Sequence, residues 1–119
     1  MSFSPLRHVD SIFWKRKPVH VTFFVTKICN AACPFCFYIW REDGPAPGEL
    51  TLPEIEKVAD SLPNLLWLAF SGGEIFVRKD FPEIVEAFYK RNKPVVMLFP
   101  TNGIMTERIV QVMRRLCKS

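Results

Sequence analysis

Glycine is scarce in this chain, five in 119 residues, and no low-complexity tract or internal repeat stands out. With 49% hydrophobic and 24% charged residues, intrinsic disorder is excluded, because disordered chains lack the apolar surface that offsets ordering entropy. No stretch approaches the roughly 18 to 20 apolar residues that a membrane-spanning helix needs. The N-terminus, MSFSPLRHVDSIFWKRKP, has neither an uninterrupted apolar segment nor a small-residue cleavage site, so no signal peptide is expected. The cytoplasm is therefore the expected compartment. Thiols stay reduced there, so clustered cysteines bind metal or do redox chemistry rather than form disulfides. Concentrated basic charge is also missing. The net charge of +4 is scattered over Lys15–Lys17, Lys90–Lys93 and the C-terminal MRRLCK. A nucleic-acid reader would gather it on one face with aromatics between, so no nucleic-acid partner is expected.

What the chain does have is rings and alternation. Eleven phenylalanines and three tryptophans promise a ring-rich core for a single domain. Residues 1–18 read as an irregular or short helical lead-in closed by Pro18, and residues 19–119 as the domain. Val19–Thr26, VHVTFFVT, is β-branched and aromatic and reads as a strand. Arg41–Glu49 is a turn-rich loop. TLPEIEKVADSL opens with Thr51 and Glu54 at capping-box spacing and repeats Leu52, Ile55, Ala59 and Leu62 at helical intervals. Leu65–Ser71 and Val95–Thr101 are nearly continuous apolar runs, as expected for strands buried on both faces. DFPEIVEAFYKRN repeats the capping chemistry with Asp80 and Glu83, and a last helix from Thr106 carries Ile109, Val112, Met113 and Leu116 on one side. Cys117 is expected as a small apolar residue on that buried face.

The order β-α-β-α-β-α implies an α/β fold with a parallel sheet, and ligands of such sheets bind outside the carboxyl ends of the strands. Three polar motifs fall at those ends. Cys29, Cys33 and Cys36 follow the first strand, Ser71–Glu74 (SGGE) the second, and Thr101–Gly103 (TNG) the third. A structural zinc site takes four ligands, usually as two close couples, and no second couple is present. A redox pair at Cys33 and Cys36 has the C-x-x-C spacing but leaves Cys29 and the other two motifs unexplained. An iron–sulfur cluster accounts for more. A [4Fe–4S] cube normally takes four thiolates, so three leave one iron open, and Phe35 just before the last cysteine could cover a neighbouring ligand.

Cys29-x3-Cys33-x2-Cys36 with an aromatic at Phe35 resembles the signature of the radical S-adenosylmethionine (radical SAM) enzymes. SGGE resembles that family's GGE motif after the second strand, and PTNG is similar to a sequence after the third. The resemblance runs from about Val19 to the end. It implies that the three cysteines hold a [4Fe–4S] cluster and that S-adenosylmethionine chelates the open iron. Gly72, Gly73 and Glu74 would meet its amino group, and Asn102 would line the pocket. Reductive cleavage by an external electron donor would give a 5′-deoxyadenosyl radical that abstracts hydrogen from a small-molecule or peptide substrate. The combination is most similar to members that mature peptides or build cofactors. A non-catalytic metal- or cluster-binding module is the alternative from another class.

Two departures from the family pattern stand out: Ile75 where proline usually follows GGE, and Ala31 and Ala32 after Cys29-Asn30. The family's core is a partial (β/α)6 barrel, of which about three units fit here at roughly 30 residues each. The expectation is thus the first half of such a barrel, either truncated from a longer enzyme or a half that associates through the exposed edge of its third strand. Two halves closing a six-stranded ring is the form of the second case. A monomeric mass in sedimentation at micromolar concentration would sink it.

Overall fold

The computed structural model describes residues 4–14, 17–36 and 48–118. Trp40 and most of the expected turn-rich loop Arg41–Glu49 lie outside the described residues, as does Lys15–Arg16 of the first basic run. A 3-10 turn at Pro5–His8 and a short helix α1 (Val9–Phe13) form the lead-in. Strand β1 (His20–Thr26) follows, then α2 (Leu52–Ser61), β2 (Trp67–Gly72), α3 (Phe81–Asn92), β3 (Val96–Leu98) and α4 (Thr106–Lys118). The strands lie in sequential order β1-β2-β3, all parallel. This is the arrangement expected for the first half of a partial barrel. Phe23 pairs with Phe70, and the register shifts between Phe24 and Thr26, where the cysteine segment begins to leave the sheet.

Period-two alternation sorts the sheet into unlike faces. Val25, Leu68 and Phe70 point toward the helices and are buried, together with Ile55, Ala59, Phe81, Ile84 and Phe88. Phe70 anchors this layer, edge-on to Phe81 with centroids at 5.2 Å and stacked on Phe99 at 5.5 Å. Such ring pairs add about 0.5–1.5 kcal/mol each beyond burial. The other face carries Thr22, Phe24, Trp67 and Leu98. Phe24 is 51% exposed, Trp67 38% and Leu98 41%. The second and third strands are therefore not buried on both faces as their apolar runs suggested. A continuous apolar run reports two apolar faces, and helices cover only one of them among the described residues. The third strand is also shorter than the expected Val95–Thr101.

The helices follow their signals with two exceptions. At α2, the Thr51 N–H and hydroxyl donate to Glu54 Oε2 at 2.8 and 2.7 Å, which is the expected capping pair. At α3, Asp80 occupies the N-cap position without a side-chain cap bond. Its carboxylate instead takes Arg78 Nε at 2.7 Å, and Glu83 takes Arg115 Nη1 at the same distance. A guanidinium makes a stronger, charge-assisted bond than a backbone amide, so the ion pairs displace the capping box. The second exception is Cys117, which is exposed. Val112 is buried and Leu116 half-buried on the core side of α4. At 100° per residue Cys117 falls beside that stripe rather than on it.

Asn92 closes α3 against α2. It is fully buried, and its Nδ2 donates to the carbonyls of Ala59, Leu62 and Pro63 at 2.8–3.0 Å. Basic residues of the outer helices likewise have internal carboxylate partners: Arg91 pairs with Asp60, and Arg115 with Glu83 and Glu86. No helix among the described residues is long and apolar enough to cross a membrane.

Candidate functional site

The parallel sheet brings the three polar motifs to one rim, and the backbone of the first two is in direct contact. Gly73 N–H donates to Thr26 O and Glu74 N–H to Ile28 O, both at 2.9 Å. The SGGE turn thereby extends the β1–β2 ladder into the first residues of the cysteine loop. This closeness explains the two glycines. Gly72 sits at φ +122°, and a Cβ there would lie 2.2 Å from Thr26 O; a Cβ on Gly73 would lie 2.0 Å from Ile28 O and 3.0 Å from Cys29 N. The backbone that approaches them in the chain itself is that of the cysteine loop.

Glu74 is 2% exposed. Its Oε1 accepts from Phe76 N–H at 3.3 Å, its Oε2 accepts from Asn102 N–H at 2.8 Å, and the Thr101 hydroxyl is shared between both oxygens at 3.0 Å. Three donors on a group with about four acceptor sites satisfy most of this buried carboxylate and tie the SGGE turn to TNG. Asn102 is exposed and continues outward, its Nδ2 donating to Asn30 Oδ1 at 2.8 Å. The third motif thus reaches the residue directly after Cys29. Ile75, in the place where the family has proline, opens a 3-10 turn over Ile75–Val77 and is fully buried in the core.

Cys29, Cys33 and Cys36 are all exposed, and none is joined in a disulfide. The Cys36 N–H donates to Cys33 O at 3.1 Å, a turn that keeps these two close. The three thiols are not gathered around one point. Among the described residues, no group of three or more His, Cys, Asp or Glu side chains is arranged to hold a metal ion. Phe35 is 88% exposed and is not brought against the other motifs. The donor set still fits a cluster with one open corner: three exposed thiols, the soft ligands such clusters take, on one short loop at the strand ends. Metal loops of this kind take their final shape with the metal.

Sequence reasoning missed the clamp at the foot of the loop. Glu49 Oε1 accepts from the buried Thr26 hydroxyl at 2.8 Å and from Lys27 N–H at 2.7 Å, and Thr26 Oγ1 in turn accepts from Ile28 N–H at 3.1 Å. Arg78 adds its own ties, donating to Val25 O at 2.7 Å and Leu50 O at 2.6 Å. The Arg78 guanidinium also holds the Asp80 carboxyl below the usual carboxylate range. Thr26, Glu49, Leu50, Arg78 and Asp80 line a cleft of about 570 Å³, with Ile28 and Val77. A second cleft, of about 420 Å³, opens on the uncovered sheet face between Thr22, Ala69, Ser71, Leu98 and Pro100. Glu49 stands at the end of the turn-rich stretch and carried no periodicity or motif that could have marked it.

Comparison with known proteins bears on this rim. The model of the Radical SAM superfamily matches residues 23–118. The chain is 35% identical over 94 residues to the antilisterial bacteriocin subtilosin biosynthesis protein AlbA of Bacillus subtilis, covering 76% of this chain and 20% of that one. It is 36% identical over 95 residues to Fe-coproporphyrin III synthase of Methanosarcina barkeri, covering 78% and 23%. It is 33% identical over 89 residues to mycofactocin maturase MftC of Mycobacterium tuberculosis, covering 73% and 22%. The matched region thus spans about a fifth to a quarter of the length of these curated relatives. No solved structure matches the chain.

Proposed function

The chain belongs to the radical SAM superfamily, and we propose that it is the cluster-bearing part of an enzyme that reductively cleaves S-adenosylmethionine. Cys29, Cys33 and Cys36 would hold a [4Fe–4S] cluster, and Gly72, Gly73 and Glu74 would receive the methionine end of S-adenosylmethionine. When bound, the cluster supplies the electron that splits the sulfonium into methionine and a 5′-deoxyadenosyl radical, the hydrogen-abstracting reagent; the hard chemistry belongs to the cofactor. The chain's own part is binding and orientation. The loop offers three exposed thiols. The SGGE backbone lies against the Ile28–Cys29 segment, and the Glu74 carboxylate keeps about one acceptor site for an ammonium after its three internal donors.

The observation that carries this reading is the contact of Gly73 with Ile28 and Cys29. It sets residues 44 and 45 apart in sequence against one another, which supports reading the two motifs as one site. The relatives' names speak of bacteriocin biosynthesis, mycofactocin maturation and Fe-coproporphyrin III synthesis. On that basis we take the substrate class to be a peptide or a cofactor precursor, with an external reductant as the other partner. Self-association, on this reading, uses the edge of β3.

Anaerobic reconstitution with iron and sulfide, reduction, and EPR with and without S-adenosylmethionine tests the proposal. A [4Fe–4S]⁺ signal that shifts on adding S-adenosylmethionine is the expected result. A cluster indifferent to it would make the chain a non-catalytic binding module, and one zinc per chain with no cluster would overturn the reading.

A further inference from the structure

We infer that Asn102 and Asn30 form a latch that fixes the cysteine loop to the β3 rim. Asn102 is then a positioning residue for the three thiols rather than a group that touches the cofactor. The first turn of the loop is held by backbone, through Gly73 to Thr26 and Glu74 to Ile28. The latch comes two residues further on, immediately after Cys29, and it joins positions 72 apart in sequence.

The direction of the bond is set by its neighbours. Asn102 Oδ1 already accepts from Ile104 N–H at 3.0 Å, so the amide must present Nδ2 to Asn30, and Asn30 must answer with oxygen. The other end of the latch is anchored in the core. The Asn102 N–H is held at 2.8 Å by Glu74, whose buried carboxylate is also bonded to Thr101 and Phe76. One end of the chain of bonds is therefore rigid and the other grips the loop beside its first thiol. Displacing Asn102 releases that thiol's neighbour without touching the core.

The test is amide hydrogen exchange of the metal-free chain, read by mass spectrometry over the 28–33 segment. An exposed hydrogen bond has a net worth that corresponds to roughly two- to tenfold in opening equilibrium. Asn30→Ala and Asn102→Ala should each speed exchange there by about that factor, with β1 and α3 unchanged. The double variant should be no faster over 28–33 than either single, because all three remove the same single bond to that segment. Asn30→Asp keeps the acceptor and should exchange as the wild type does. Asn30→Asp combined with Asn102→Asp sets two carboxylates face to face and should be at least as fast as the alanine variants. Unchanged rates in the single variants, a chain-wide increase, an additive double variant, or Asn30→Asp behaving like Asn30→Ala would each overturn the latch.

A second readout rests on the proposed function. Reconstituted Asn102→Ala should retain wild-type iron and sulfide, but S-adenosylmethionine should shift its EPR signal less and leave it broader. An unaltered shift would overturn the positioning role. If the wild type itself takes up no cluster, the functional reading fails, and the exchange rates still decide the latch.

Discussion

Gly73→Ala is the substitution that most directly tests how the rim is built. The added methyl would lie 2.0 Å from Ile28 O, 2.5 Å from Ile28 C and 3.0 Å from Cys29 N, all backbone atoms that no side-chain rotation can clear. Restoring even a tight contact requires the Ile28 carbonyl to retreat by about 1 Å, given that relaxed heavy-atom contacts lie near 3.5–4.0 Å. A retreat of that size stretches the 2.9 Å bonds from Gly73 to Thr26 and from Glu74 to Ile28 beyond the hydrogen-bonding range. Each is worth about 0.5–1.5 kcal/mol net, and overpacking strain adds about 1–3 kcal/mol. The expected loss is therefore about 2–6 kcal/mol.

Gly103→Ala is the control. Gly103 also has a positive φ, +77°, but nothing lies within 4 Å of its Cβ position, so only the left-handed strain of about 1–2 kcal/mol applies. Urea unfolding of both variants, followed by tryptophan fluorescence, gives the two free energies by linear extrapolation. If Gly73→Ala lost less than Gly103→Ala, the close approach of SGGE to the cysteine loop would be refuted, and with it the reason given for the glycine.

Asn92→Ala should cost about 2–3 kcal/mol in the same assay, because three carbonyls at the end of α2 lose their buried donor; a loss under 1 kcal/mol would mean that water replaces it. Cys33→Ser should move stability by no more than about 0.5 kcal/mol, as an exposed site does, yet sharply lower the iron bound on reconstitution; undiminished iron would remove Cys33 from the ligand set. The ion pair with Arg78 sets a pH dependence. Asp80 has a folded pKa below its unfolded value, so its contribution is complete above the usual carboxylate pKa of about 4 and is lost as pH falls through the lowered value. The stability gap between wild type and Asp80→Asn should accordingly be larger at pH 6 than at pH 2.5, and an equal gap would refute the pairing.

Strand and helix order was legible because each element carried its own period and caps. Thr51 and Glu54 met as their spacing required. What misled was chemistry that depends on distant partners. Asp80 and Glu83 have the same capping spacing, but Arg78 and Arg115 claim them, and no local pattern distinguishes the two cases. The apolar runs of β2 and β3 named two apolar faces without saying whether both would be covered, and Trp67 and Leu98 are in fact accessible. At the site, the sequence marked which residues share a rim, and the structure adds which of them are bonded to one another. Glu49, held against Thr26 and Lys27, belongs to the site through a contact that no spacing encodes.

The rim is tied together by contacts between its own motifs. Gly72 and Gly73 admit the cysteine loop to the sheet, Glu74 joins the second motif to the third, and Asn102 returns from the third to the loop. Each of these has a partner within the protein before any ligand arrives. Cys29, Cys33 and Cys36 are exposed on the loop that these contacts position. A buried carboxylate with three internal donors resists displacement, because removing it would strand the buried Phe76 N–H at about 1–3 kcal/mol. An exposed thiol on a short loop can move at little expense. The exposed cysteines thus sit on a frame of SGGE and TNG contacts that is bonded in advance.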